Sequence, residues 1–172
     1  MAFATAANAT TYPIGTIPQF YITSGTPFST SISANFGNGY DTLGVTAFDD
    51  SFTFTIPNHN GVGSGSISTS FTSPANHLVI TDLYVNGTHY VVPSTGSGQE
   101  LTLSGTPIFM GVLNTIRVVG FTGLRGGSFS GTATFAATSV PEATTWAMML
   151  GGFGLVGAAM RRRRTSVSFA GA

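Results

Sequence analysis

The stretch Val45-Thr46-Ala47-Phe48-Asp49-Asp50-Ser51-Phe52-Thr53-Phe54-Thr55-Ile56 decides the fold. Phe48, Asp50, Phe52, Phe54 and Ile56 share one parity; Asp49, Ser51, Thr53 and Thr55 share the other. Alternation at period two with aromatics on one side predicts a half-buried strand with one face on a core. Asp50 is the exception, an acid on the greasy face. A carboxylate there must be paired or hydrogen-bonded. Two readings follow: an acid accepting loop N–H groups to pin the adjacent turn, or a calcium ligand acting with Asp49 or loop carbonyls. Asp49 and Asp50 project to opposite faces of a strand, so they do not form a glycosidase pair.

The same grammar extends in both directions. Upstream, Thr10–Ile14 reads as an entry strand and Phe28–Phe36 alternates loosely. Asn35, Gly37, Asn38 and Gly39 predict a turn. Downstream, Pro57–Gly61 ends the deciding strand, and Ser64–Phe71 alternates again. Leu78–Val85 and Thr88–Val92 flank Asn86-Gly87, a dipeptide that favours positive φ at both turn positions and predicts a hairpin. Gly96 and Gly98 predict a loop, and Leu101–Leu103 a short strand. Ile108–Phe121 is apolar and β-branched, a central strand bent at Gly111. Ser128–Ala136 alternates once more. Roughly eight to ten short strands with no helical periodicity before residue 143 predict an all-β fold, an antiparallel β-sandwich or jelly roll.

Composition agrees. Charged residues are 7 % of the chain, lysine and cysteine are absent, and 42 % of residues are hydrophobic. Disorder requires few apolar residues; here Gly, Ser, Thr and Asn supply the polar component instead of charge. Residues 1–139 carry Arg117 and Arg125 against Asp41, Asp49, Asp50, Asp82 and Glu100, two cations against five acids. A mildly acidic body without a basic patch argues against nucleic-acid binding. The absence of cysteine removes disulfides, thiol nucleophiles and thiolate metal sites.

The last thirty residues differ from everything before them. Val140, Pro141, Glu142 and Ala143 precede 15 uncharged residues, Trp146–Met160, which end at Arg161, Arg162, Arg163 and Arg164. A helix of that length covers roughly 22 Å, short of a hydrocarbon core of about 30 Å. Residues 143–145 and snorkelling arginine stems extend it. Trp146 suits one interface and the arginines the cytoplasmic one, so a transmembrane-type helix with residues 1–139 outside is expected. A buried core helix capped by basic residues is the alternative. The resulting divisions are residues 1–9, a signal-peptide remnant or disordered start; 10–139, an exported β domain; 140–164, motif, helix and arginine cluster; and 165–172, a disordered tail.

Val140-Pro141-Glu142, Thr145-Trp146-Ala147-Met148-Met149-Leu150, Gly152-Phe153-Gly154 and the Arg161–Arg164 block resemble the PEP-CTERM sorting signal of Gram-negative bacteria. Ala143 replaces the second proline of that motif, and Thr165–Ala172 run beyond the usual end. The resemblance implies an integral-membrane exosortase as partner. That enzyme would recognise the motif, cut near it and pass the protein through a transient membrane stage to the cell surface or an exopolysaccharide matrix. Phe48-Asp49-Asp50-Ser51-Phe52 resembles the FxDxF group of such proteins, exported β domains without an assigned activity. The stretch is also loosely similar to pre-peptidase C-terminal β-sandwich modules.

No catalytic constellation is expected. His77, Asp82 and His89 lie on or beside one predicted hairpin and give at most a partial zinc set, with solvated cross-strand contacts as the alternative. Serines are plentiful, but no Ser–His–acid arrangement is evident, and Gly63-Ser64-Gly65-Ser66 is a strand entry and not a phosphate loop. No cofactor is implied. A non-enzymatic exported protein is the first reading, and a carbohydrate-binding module, using Tyr12, Tyr21, Tyr40, Tyr84 or Tyr90, is the second. Asn8 and Asn86 head sequons.

Overall fold

A computed structural model describes residues 7–70, 73–95, 97–138 and 143–162. The chain divides into two compact units, Met1–Thr138 and Ser139–Ala172. The first is built of β-strands and the second holds one helix.

Eleven strands make two sheets among the described residues. In the first sheet β1 (Asn8–Pro13), β4 (Ala47–Thr55), β10 (Leu113–Phe121), β6 (Val79–Val85) and β7 (Thr88–Tyr90) lie side by side in that order. The second runs β2 (Phe20–Ser24), β3 (Ser31–Tyr40), β11 (Gly127–Ala137), β5 (Gly61–Thr69), β9 (Gly98–Ile108) and β8 (Ser94–Thr95). Every neighbouring pair is antiparallel except β1 and β4, which are parallel. The expected all-β architecture is met; a jelly-roll connectivity is not established by this strand order.

The deciding strand is β4, and its alternation is obeyed. Phe48, Asp50 and Phe52 are buried, while Asp49, Ser51 and Thr53 are only partly covered. Phe52, with no exposed surface, joins the sheets: its ring meets Tyr12 of β1 at 5.3 Å, Phe36 of β3 at 5.2 Å, Phe20 of β2 at 5.7 Å and Phe129 of β11 at 6.1 Å. Offset and edge-on pairs at these spacings add to the stabilisation from burial. One core cluster therefore draws on both inner faces. Beside it, an apolar cavity of about 90 Å³ lies among Ile14, Phe54, Leu83, Leu103 and Ile116.

Several elements differ from the sequence expectation. Asn35, Gly37, Asn38 and Gly39 are not a turn; they lie inside β3. Gly37 serves close approach, because a Cβ there would sit 2.6 Å from the Phe129 carbonyl oxygen. β2 was not anticipated in a proline-rich stretch. Gly98 belongs to β9, which also takes in Leu101–Leu103 and continues to Ile108. Ile108–Phe121 is not one bent strand but the end of β9, a turn with Gly111 at φ 71°, and β10. The Asn86-Gly87 hairpin forms as expected, with φ 49° and 82°.

The second unit contains α1 (Ala143–Arg162), 20 residues and hence about 30 Å long. The transmembrane expectation requires correction here. Among the described residues, no helix is long and apolar enough to cross a membrane. Four glycines, Thr144, Thr145 and the arginines at its end dilute its apolar stretch.

Candidate functional site

Two places carry the sequence expectations. The first is the tail. Val140, Pro141 and Glu142 lie outside the described residues, as do Arg163, Arg164 and residues 165–172. Ala143 opens α1 and Arg162 closes it. Along the helix Trp146, Met148, Leu150, Phe153 and Met160 are exposed, Met148 by 76 %. Met149, Gly152, Gly154 and Arg161 are exposed too. The exposed apolar side chains thus run along the helix ahead of Arg161.

The second place is the Phe48-x-Asp50-x-Phe52 element. Strand alternation puts Asp50 between two core phenylalanines at 1 % exposure. Its Oδ2 accepts from the Tyr40 hydroxyl at 2.5 Å and from Asn38 Nδ2 at 2.9 Å. Asn38 Nδ2 also donates to the Tyr12 hydroxyl at 2.7 Å. Asp50 Oδ1 has no hydrogen-bond partner among the described residues. Asp50 was expected to receive loop N–H groups; its partners are instead side chains of β3, in the facing sheet. Burial pushes its carboxyl above the usual range, and the Tyr40 and Asn38 bonds oppose that push. Tyr40 is driven upward by burial and by its bond to Asp50, and Tyr12 by burial and the Asp50 charge. Through Asn38 and Tyr40 these bonds tie β3 of the second sheet to β1 and β4 of the first.

Asp49, the other calcium candidate, points the opposite way. It takes a two-pronged contact from Arg117, Nε to Oδ1 at 2.7 Å and Nη2 to Oδ2 at 2.5 Å. Asp49 and Asp50 are thus not brought together. On the same outer face the Arg117 guanidinium lies 5.4 Å from the Tyr84 ring centre, and Tyr84 packs on His89. His89 reaches Asp82 at 2.8 Å, so two of the three zinc candidates do meet. Among the described residues no group of three or more metal-ligating side chains forms. Tyr90 packs against the core, and Tyr21 lies on the outer face of the second sheet.

Sequence reasoning missed two buried amides. Gln99 accepts from Ile80 N–H at 2.6 Å and donates to the Ile80 and Val92 carbonyls, completing β6 where β7 has ended. Asn114, fully buried, binds the backbone of Phe109 and Val112 and accepts from Asn86 Nδ2. Asn86 is thereby committed to structure. The one available signal was their place on apolar parities: Asn114 is in phase with Ile116 and Val118.

Residues 139–164 match the PEP-CTERM protein-sorting motif. The match covers the motif, the apolar helix and the arginine block together. The PEP-CTERM segment implies an exported protein with a membrane intermediate and exosortase as its processing partner. No curated protein and no solved structure matches the chain.

Proposed function

We propose that the chain is a non-enzymatic exported protein, delivered by exosortase through its PEP-CTERM segment to the cell surface or exopolysaccharide matrix of a Gram-negative bacterium. The match of residues 139–164 carries this reading. The exposed apolar side chains of α1 ahead of Arg161 support it, since such a surface requires a lipid or protein partner. A helix too weak to span stably suits a segment that is handed to an enzyme and removed. Phe48, Asp50 and Phe52 support placement in the FxDxF group. A non-enzymatic role is supported by how the polar groups of the β unit are used: Asp49 by Arg117, Asp82 by His89, Asp50 by Tyr40. These contacts serve packing and register.

The test is a Pro141→Ala, Glu142→Ala double variant in a producing strain. Unprocessed chain is expected to accumulate in the cell envelope. Unchanged release of protein of unchanged mass would contradict exosortase processing.

A further inference from the structure

The outer face of the second sheet holds a feature that sorting does not use. Register sets Tyr21, Asn35, Thr132, Ser66 and Thr102 in one row across β2, β3, β11, β5 and β9. The next row is Gly37, Ser130, Ser68 and Glu100. Their strand neighbours Phe20, Phe36, Phe129 and Ile67 are buried, so these side chains face outward. An open groove of about 520 Å³ lies on this face, with Pro18, Gln19 and Tyr21 on one flank and Ser66 and Ser68 on the other. Its floor is low at Gly37, where the closeness of β11 leaves no room for a side chain.

We propose that this groove binds a neutral, linear polysaccharide. None of the residues lining it is charged, and Glu100, beside Ser68 in the second row, lies outside the lining. An uncharged groove complements an uncharged chain and offers no cations to a polyanion. Its polarity does not suit a lipid surface, which selects exposed apolar patches. An extended peptide would add at a sheet edge and not across a face. Hydroxyls both donate and accept, as sugar hydroxyls do. Those of Ser68, Ser128 and Ser130 make no hydrogen bond within the protein among the described residues, which leaves them for a ligand. Asn35 Nδ2 donates to the Tyr21 hydroxyl at 3.3 Å, steadying a ring against which the apolar face of a sugar can stack. The volume falls within the range of ligand sites, roughly 300–1,000 Å³. The other tyrosines are engaged elsewhere: Tyr84 with Arg117, Tyr12 and Tyr40 around Asp50, Tyr90 in the core.

The experiment is affinity electrophoresis of the purified full chain in mild detergent. Gels contain hydroxyethylcellulose, galactomannan or dextran as neutral probes and alginate as the anionic one. At least one neutral gel should retard the chain and alginate should not. Tyr21→Ala should weaken retardation about tenfold, and Ser130→Trp, which fills the groove, should abolish it. Tyr21→Phe should retain most of it, and Tyr84→Ala, on the other sheet, all of it. Melting curves identify any variant that fails to fold. Retardation by no neutral gel, by alginate alone, or equal loss in Tyr84→Ala and Tyr21→Ala overturns the proposal. Sorting is a separate matter: a chain that binds yet is never released refutes exosortase processing and leaves the groove standing.

Discussion

At the residue scale, Asp50 gives the sharpest predictions. Its carboxyl is raised in the folded state by burial, above an unfolded value near 3.9. Folding therefore favours the protonated form. The stability Asp50 contributes is complete below the unfolded pKa and is lost as pH rises through the folded one. Compared with Asp50→Asn, the wild type should lose relative stability as pH rises above about 4, read as a shrinking difference in urea midpoint. A difference that grows with pH would refute the burial argument. Tyr40→Phe removes the hydroxyl donor of a carboxylate whose other oxygen has no partner, and should cost about 1–3 kcal/mol near neutral pH. The exceptional place of Asp50 was legible from alternation alone. Its partners were not, because Asn38 and Tyr40 reach it from the facing sheet, and strand periodicity says nothing of which strand lies opposite.

At the scale of elements, signals that belong to one segment were readable. Asn86-Gly87 dictates its own turn through positive φ, and β4, β5 and β11 declare themselves by alternation. What was misread depends on neighbours. Gly37 and Gly39 resemble turn residues until β11 is seen pressed against β3. The Ile108–Phe121 run looks continuous until Asn114 is found folding Phe109 and Val112 back onto β10. Asn114→Ala should therefore free the backbone of Phe109, costing about 1–3 kcal/mol and accelerating exchange of the Phe109 amide, with the β4 amides exchanging as before. In α1 length was legible but quality was overrated. Replacing Gly151, Gly152 and Gly154 by leucine raises both helicity and apolarity. The variant should shift from released to membrane-bound fractions; unchanged partitioning would mean that helix quality does not govern release.

At the scale of the whole molecule, the chain joins a low-charge β unit to a short apolar helix ending in arginines. The order of motif, helix and basic block was readable as a sorting signal because its parts are local and adjacent. The groove on the second sheet was not, since its lining comes from β2, β3, β5, β11 and the loop before β2, scattered between residues 18 and 132, and consists of residues that look like filler in sequence. The most direct measurement is the intact mass of the protein released at the surface of a producing strain. Exosortase processing predicts a species that ends near Glu142 and lacks Trp146–Arg164. A released species that still contains Trp146–Arg164 would contradict it.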